Sequence, residues 1–177
     1  IAVGGLSGSG KSRMARELAP FLGVAPGARV VRSDSTRKRL AGVPLTRQLG
    51  NQGYLAEMNE RTFEALYEEA LAALRAGQSV LADAVFAKPE SRRAIERVAD
   101  KAGVPFTGLW LEAPAEIMAR RVTERQRNVS DADAKILGQQ LTYDLGEIEW
   151  FRIESSGPRQ ETLKAGLGLI GLETGVA

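Results

Sequence analysis

The sequence contains no cysteine and no histidine. The absence of cysteine excludes disulfide bonds, and the absence of both residues excludes the zinc sites that they form. Catalysis by a serine–histidine–aspartate triad or by a cysteine–histidine pair is excluded too, and so is a histidine pH switch near neutrality. Any chemistry must therefore use carboxylates, lysine, arginine, hydroxyl groups, backbone amides or a bound metal ion.

The chain also lacks long hydrophobic runs and a strong excess of charge. No stretch of 18 apolar residues occurs, so the sequence predicts no transmembrane helix. The 24 basic and 22 acidic residues give a net charge of +2, which argues neither for nor against a nucleic-acid partner. No signal peptide is visible, and together with the missing cysteines this favours a cytoplasmic location. The chain begins at Ile1 rather than at a methionine, so we expect that upstream residues have been removed.

Short apolar runs of β character alternate with segments of helical periodicity along the chain. Five strands are predicted, at about residues 1–3, 28–33, 78–83, 105–112 and 150–154. A helix is predicted from about Lys11 to Leu22. The clearest helical pattern runs from Phe63 to Leu74, where apolar residues recur at spacings of three and four. Strands separated by helices predict right-handed crossovers and a parallel sheet covered on both faces, within a single α/β domain spanning 1–177.

The most specific motif is a glycine-rich loop between the first predicted strand and the next helix. This phosphate loop fits the pattern Gly-x4-Gly-Lys-Ser/Thr and consists of Gly5, Leu6, Ser7, Gly8, Ser9, Gly10, Lys11 and Ser12. Glycines allow the backbone to curl so that successive N–H groups point at phosphate oxygens. Lys11 would lie beside the β- and γ-phosphates, and the Ser12 hydroxyl would ligate Mg²⁺. The loop predicts nucleotide binding; a glycine-rich turn with an accidental Lys-Ser pair is the alternative.

A second polar cluster follows the second predicted strand, at the sheet edge where ligands of parallel sheets collect. It reads Ser-Asp-Ser-Thr-Arg-Lys-Arg at residues 33–39. We expect Asp34 to accept a proton from a substrate hydroxyl, and Arg37, one helical turn later, to hold an anionic group. A role for Asp34 as a helix cap alone is the alternative.

Asp83, the last residue of the third predicted strand, is a candidate metal residue. A carboxylate at the end of a buried strand beside the phosphate loop is placed to organise Mg²⁺ through water. A helix cap or a substrate contact are the alternatives. Phe86 and Tyr54 are the nearest aromatic residues, and we predict Phe86 as a substrate contact.

Several arginines follow the fourth predicted strand, among them Arg121 and Arg125, which are four residues apart and so share one helix face. An anion between them would offset their mutual repulsion, and a lid arginine stabilises charge on a transferred phosphoryl group. The alternative is a solvated face paired with Glu116 and Glu124.

In this order the motifs resemble those of small P-loop kinases, in particular ATP-dependent kinases that include forms fused to an aminoglycoside-phosphotransferase-like domain. The resemblance covers nearly the whole chain and rests on G-L-S-G-S-G-K-S at 5–12, R-S-D-S-T-R-K-R-L at 32–40, V-L-A-D-A-V-F at 80–86, L-E-A-P-A-E at 111–116 and S-D-A-D at 130–133. Polynucleotide kinases, gluconate kinases, chloramphenicol phosphotransferases and zeta-toxin kinases are similar in the first two motifs.

This resemblance implies a P-loop NTPase three-layer sandwich with a five-stranded sheet in the order 2-3-1-4-5. It implies ATP as the nucleotide, with Mg²⁺, and a base-binding loop near Ser155 and Gly157. It also implies a lid at about residues 114–145 that carries Arg121 and Arg125, with Asp34 as general base and Arg37 as a substrate contact.

Together the residues and the resemblance predict an ATP-dependent phosphotransferase that acts on a hydroxyl group of a small molecule. The alternatives are a nucleotide-binding regulatory ATPase without an acceptor and a polynucleotide 5′-hydroxyl kinase. Residues 29–47 hold six basic residues and one acid, which suits an anionic ligand. However, no aromatic ladder accompanies them, so a small acceptor is favoured over a polynucleotide end.

Overall fold

The computed structural model describes residues 1–47, 49, 53, 55–124 and 134–172 of the 177-residue chain. Its strands are β1 (Ala2–Gly4), β2 (Arg29–Arg32), β3 (Val80–Asp83), β4 (Gly108–Glu112) and β5 (Phe151–Glu154). Its α-helices are α1 (Lys11–Leu18), α2 (Ser33–Leu40), α3 (Ala56–Arg75), α4 (Pro89–Ala102), α5 (Ala115–Glu124), α6 (Ala134–Gln140) and α7 (Arg159–Leu169). A short 3-10 helix, Ala19–Phe21, follows α1.

The strands form one parallel sheet in the order β2-β3-β1-β4-β5. This confirms the predicted order 2-3-1-4-5 and the P-loop NTPase sandwich. The strand that precedes the phosphate loop lies in the centre, with Val3 of β1 paired in register with Asp83 of β3 and Leu109 of β4. The carboxyl ends of β1, β2 and β3 therefore meet at one edge of the sheet.

Alternate residues of the central strands pack into two separate cores. Ala2, Ala82 and Trp110 face one core, which α3 and α4 cover through residues such as Leu66 and Ile95. Their strand neighbours Val3, Leu81 and Leu109 face the other core, which α1 and α7 cover. Because successive side chains of a strand point to opposite faces, this split is the three-layer arrangement of a buried parallel sheet.

Several element ends differ from the predicted ones by one to four residues, and three of them have a clear local cause. The helix after the phosphate loop ends at Leu18 rather than at Leu22, because Pro20 has no N–H for another α-helical hydrogen bond. The second strand stops at Arg32, since Ser33 already belongs to α2. The fourth strand begins at Gly108, after Pro105, whose missing N–H cannot join a strand ladder.

The helices α5 and α6, called the lid helices below, pack on the phosphate loop. Met118 and Val122 of α5 and Leu137 of α6 form a small apolar cluster with Leu6 of the loop. The S-D-A-D motif at 130–133 and Tyr54 lie outside the described residues. Among the helices of the described ranges, none is both long and apolar enough to cross a membrane.

Candidate functional site

The phosphate loop has a backbone that only glycine adopts readily at three positions. The φ angles of Gly5, Gly8 and Gly10 are 139°, 85° and 96°. A Cβ atom on Gly8 would lie 2.5 Å from the carbonyl oxygen of Met118, and one on Gly5 would lie 2.6 Å from that of Leu111. Gly10 is the N-cap of α1, so the helix starts directly at Lys11. This curled backbone opening a helix is the arrangement that cradles phosphate groups.

Segments that follow two other strands, β3 and β5, hold the phosphate loop in place. The Gly5 N–H donates to the carbonyl oxygen of Val85, which follows β3, at 3.2 Å. On the other side the Ser155 hydroxyl lies 2.6 Å from the carbonyl oxygen of Ser9 and 2.8 Å from that of Glu112. Ser155 is buried, and its own N–H donates to Glu112 as well. The loop after β5 is thus hydrogen-bonded directly to the phosphate loop.

Beside the phosphate loop lies a cavity of about 380 Å³. Its lining combines the end of the loop, the outer face of α1, the lid helix α5 and the start of α7. It includes Ser9, Gly10, Arg13, Met14, Glu17, Leu111, Arg121, Glu124, Ser155, Gly157, Arg159, Thr162 and Leu163. The size fits a nucleoside, and Ser155 and Gly157, predicted near the base, both lie in its wall.

Arg121 joins the cavity to the phosphate loop. Its Nη2 donates to the carbonyl oxygen of Ser155 at 2.7 Å, and its Nη1 to that of Gly8 at 3.4 Å. Burial, followed by the positive charges of Arg13 and Arg120, lowers the pKa of Arg121. An anion bound in the cavity would offset this repulsion between positive charges. Arg125, the second predicted lid arginine, lies outside the described residues.

Asp34 lies in the first turn of α2, directly after β2. Its carboxylate Oδ2 is 3.9 Å from Nζ of Lys38, one turn later. Lys38 is fully buried, and its Nζ donates to the carbonyl oxygen of Leu45 at 3.0 Å. Arg32, rather than Asp34, occupies the N-cap position, where no side-chain capping hydrogen bond is formed. Asp34 therefore favours α2 through its charge in the first turn and leaves the cap position to Arg32.

Arg37, the predicted substrate contact, is buried on the next turn of α2. Its Nη2 donates to the neutral side-chain oxygen of Asn59 on α3 at 2.9 Å. Most other basic residues of the segment pair with carboxylates: Arg29 and Arg39 with Glu69, Arg32 with Asp83, and Lys38 with Asp34. The positive charge that the sequence concentrates at 29–47 is thus largely neutralised within the fold.

Asp83 ends β3 with its side chain only 3% exposed. Its Oδ2 accepts a hydrogen bond from Nε of Arg32 at 3.0 Å. The two residues lie opposite each other on the neighbouring strands β2 and β3. Oδ1 of Asp83 is buried and has no hydrogen-bond partner among the described residues. A buried carboxylate oxygen without a donor fits a water that completes the shell of Mg²⁺, and Ser12 in the first turn of α1 supplies a hydroxyl.

Phe86 lies in the core, and its ring is fully buried. Phe63 and Trp150 pack around it, with ring centroids 5.7 and 5.3 Å away. It is the one non-glycine residue of the described ranges with a positive φ, 48°. Phe86 is a predicted substrate contact. Its ring instead supports the loop after Asp83 from the core side and has no exposed surface for an acceptor.

Comparison with known proteins agrees with this geometry. The model of the AAA_33 family, described as AAA domain, matches residues 1–143. The chain belongs to this family. An uncharacterized protein of Mycobacterium tuberculosis is 32% identical over 171 residues, which is 91% of this chain and 32% of that protein, so the chain spans about a third of that relative. An adenylyl-sulfate kinase of Myxococcus xanthus is 30% identical over 117 residues, 66% of this chain and 59% of that enzyme.

Solved structures share the fold of this AAA_33 domain. An APS kinase of Mycobacterium tuberculosis, in complex with AMPPNP and APS, superposes with a TM-score of 0.69 at 22% identity, covering 96% of each chain. A gluconokinase of Sinorhizobium meliloti superposes with a TM-score of 0.65 at 20% identity, covering 97% of this chain and 90% of that one. At these identities the likeness shows the fold. The family is therefore AAA_33, and the fold is the one that these kinase structures share.

Sequence reasoning missed two residues whose side chains hold loop backbone in or near the site. Arg92 of α4 is buried, and its guanidinium donates to the carbonyl oxygens of Phe86, Ala87, Leu145 and Glu147 at 2.7–2.9 Å. Gln140, the last residue of α6, accepts a hydrogen bond from the Ser7 N–H at 2.8 Å. Nothing local in the sequence marks either residue, because their partners are loop backbone groups brought together by the fold.

Proposed function

We propose that the chain is an ATP-dependent phosphotransferase that moves the γ-phosphate of ATP to a hydroxyl group of a small molecule, with Mg²⁺ as cofactor. One observation carries the proposal: the sheet order β2-β3-β1 brings three functional elements to one edge. Asp34 follows β2, Asp83 ends β3, and the phosphate loop follows β1. Ligands of open parallel sheets bind at this edge.

The nucleotide would lie along the phosphate loop with its base and ribose in the neighbouring cavity. The loop amides and Lys11 would hold the β- and γ-phosphates. Arg121, Ser155 and Gly157, which line the cavity, would contact the nucleoside, and Arg121 would add positive charge near the phosphates. Arg125 is predicted to act beside Arg121.

In the proposed reaction the oxygen of the acceptor hydroxyl forms a bond to the γ-phosphorus of ATP. The bond from that phosphorus to the β–γ bridging oxygen breaks, and ADP leaves with the electron pair. Asp34 takes the hydroxyl proton late in a loose transition state, so its carboxylate needs no strongly raised basicity. When bound, Mg²⁺ would neutralise charge on the phosphate oxygens, and Ser12 and Asp83 are the residues that would hold it.

The charge pairing around Asp34 favours a small acceptor over a polynucleotide. A strand of nucleic acid requires several cations facing its phosphates, and here Arg29, Arg39 and Arg32 already face carboxylates. Arg37, which donates to the side-chain oxygen of Asn59, is the residue of α2 that we predict to contact an anionic or polar group of the acceptor.

The test is a screen of hydroxyl compounds for acceptor-dependent ADP release, followed by the Asp34→Asn variant on any compound that responds. We expect the variant to lose about 10²–10⁴-fold in kcat while ADP affinity stays within about twofold. Full transfer by Asp34→Asn would remove Asp34 from the role of base. ADP release that no acceptor increases would favour the regulatory ATPase, and salt-sensitive labelling of DNA or RNA 5′ ends would favour the polynucleotide kinase.

A further inference from the structure

Both lid helices place one polar side chain on the backbone of the phosphate loop. Arg121 of α5 donates to the carbonyl oxygen of Gly8, and Gln140 of α6 accepts from the N–H of Ser7. The second contact joins residues 133 positions apart in the chain and is buried. Gln140 itself is 7% exposed, although it ends a seven-residue helix.

The hydrogen bond from Ser7 fixes one particular peptide group of the loop. At the other end of the same peptide unit, the carbonyl oxygen of Leu6 accepts from the Ser9 N–H at 3.1 Å. The Leu6–Ser7 peptide is thus hydrogen-bonded at both ends, once within the loop and once by Gln140. A rotation of this peptide plane would break both bonds and leave a buried N–H unsatisfied.

The side chain of Gln140 suits this position chemically. The partner is an N–H donor, so the amide oxygen of Gln140 has to face the loop. A glutamine offers this acceptor without net charge, whereas a carboxylate in the same place would repel phosphate groups. Leu137, one turn earlier, packs against Leu6 and Met118, which anchors α6 and holds Gln140 in its place.

We propose that Gln140 is a positioning residue of the nucleotide site, which holds the Leu6–Ser7 peptide so that the following amides of the loop face the phosphates. It acts through the loop and needs no contact of its own with the nucleotide. The inference rests on the proposed function in one respect, that the loop binds the phosphates of a nucleotide.

The first experiment compares Gln140→Met with Gln139→Met by calorimetric titration of ATP and of AMP in the presence of Mg²⁺. Methionine is close to glutamine in size and lacks the acceptor, while Gln139 is the exposed neighbour on the same helix. We expect Gln140→Met to weaken ATP binding about tenfold and AMP binding less than twofold, because the distal phosphates depend most on the loop. Gln139→Met should bind both nucleotides like the wild type.

A second variant keeps the acceptor and changes only the charge. Gln140→Glu can still accept from the Ser7 N–H, so we expect it to fold even where the methionine variant does not. Its added negative charge should weaken ATP more than AMP, and rising salt should reduce the difference. ATP affinity equal to the wild type in Gln140→Met would overturn the proposal, and so would equal losses of ATP and AMP affinity in Gln140→Glu.

A merely structural role is separated by Val98→Ala, which loosens the core on the α4 side of the sheet, in an apolar cluster that contains no residue of the phosphate loop or of α6. If Gln140→Met lowered ATP and AMP affinity in the same proportion as Val98→Ala, with a similar fall in melting temperature, the positioning role would be refuted. A wild-type protein that binds neither nucleotide would instead refute the proposed function, whatever the variants do.

Discussion

Nε of Arg32 and Oδ2 of Asp83 are 3.0 Å apart, joining the last residues of two neighbouring parallel strands. Asp83 is almost wholly buried, and Arg32 is 18% exposed. A carboxylate beside the phosphate loop is thus paired with an arginine on the side away from β1. Because Arg32 binds one of its oxygens, the other is the one that could accept from a water of Mg²⁺ in the proposed reaction.

The first prediction concerns this pair. Arg32→Met should destabilise the protein by about 2–4 kcal/mol, because it leaves a buried carboxylate without its cation. Arg29→Met, on the same strand, removes an arginine that is half exposed and paired with Glu69, and it should cost about 1 kcal/mol or less. Urea unfolding of both variants at neutral pH measures the difference. Equal costs would mean that the Arg32–Asp83 pair behaves as a surface ion pair.

The second prediction concerns the need for glycine in the phosphate loop. Gly8→Ala would bring a methyl group within 2.5 Å of the Met118 carbonyl oxygen at a φ of 85°, so backbone must move. We expect loss of measurable ADP binding together with a lower melting temperature. Gly77→Ala is the matched control, since Gly77 has a φ of 79° with nothing within 4 Å of the added carbon. It should cost about 1 kcal/mol of stability and leave ADP binding intact.

Normal ADP binding by Gly8→Ala would show that α5 can move away from the loop at little cost to nucleotide binding. Loss of ADP binding in Gly77→Ala as well would show that general destabilisation, rather than the shape of the loop, abolishes binding. Titrations of both variants at a temperature well below their melting points decide between these outcomes.

The parts of the site that the sequence predicts well are those whose geometry is local. The phosphate loop is eight consecutive residues, so its pattern alone identifies the curl and the helix start at Lys11. The strand ends that carry Asp34 and Asp83 follow from short apolar runs, and the order of the strands came from the resemblance to P-loop kinases. With that order, the pairing of Arg32 with Asp83 could also have been predicted, since both residues end neighbouring strands.

The remaining parts depend on contacts between distant segments. Phe86 follows a strand at the predicted site, yet its ring packs between Phe63 and Trp150, because the α3 side of the sheet offers an aromatic core. The basic residues of 29–47 suggest an anion site, yet Glu69 on α3 takes two of them. The spacing of residues in the sequence does not indicate that Glu69 of α3 lies beside Arg29 of β2 and Arg39 of α2.

The third prediction concerns Arg92, which fastens two loops from within the core. Its planar guanidinium donates hydrogen bonds to four carbonyl oxygens. Its Cζ atom lies 5.8 Å from the ring centroid of Trp110, and burial lowers the pKa of Arg92. A lysine ammonium cannot reach all four of these carbonyl oxygens in the same planar arrangement, so Arg92→Lys should lower the free energy of unfolding by about 3 kcal/mol. Arg93→Lys, at the exposed neighbouring position, should stay within about 0.5 kcal/mol of the wild type. Denaturant unfolding measures both, and a nearly neutral Arg92→Lys would show that the loops hold their shape without these four hydrogen bonds.

The fourth prediction is a pH dependence at Glu69, which accepts hydrogen bonds from Arg29 and Arg39. Burial raises its pKa, but the hydrogen bonds and charges of Arg39 and Arg29 outweigh this, and the pKa is lowered. A lowered pKa in the folded state stabilises the fold at pH values above the ordinary glutamate pKa of about 4.3, and that stabilisation is lost as pH falls through the folded value. The melting temperature of the wild type should therefore exceed that of Glu69→Gln at pH 7, and the gap should close as the pH falls below the ordinary glutamate pKa. Glu68→Gln at the exposed neighbouring position should follow the wild type throughout.

Salt gives a second test of the same ion pairs. Since Arg29 and Arg39 are about half exposed, 0.5 M salt should shrink the difference in melting temperature at pH 7. A difference that widened on acidification would contradict the lowered pKa of Glu69.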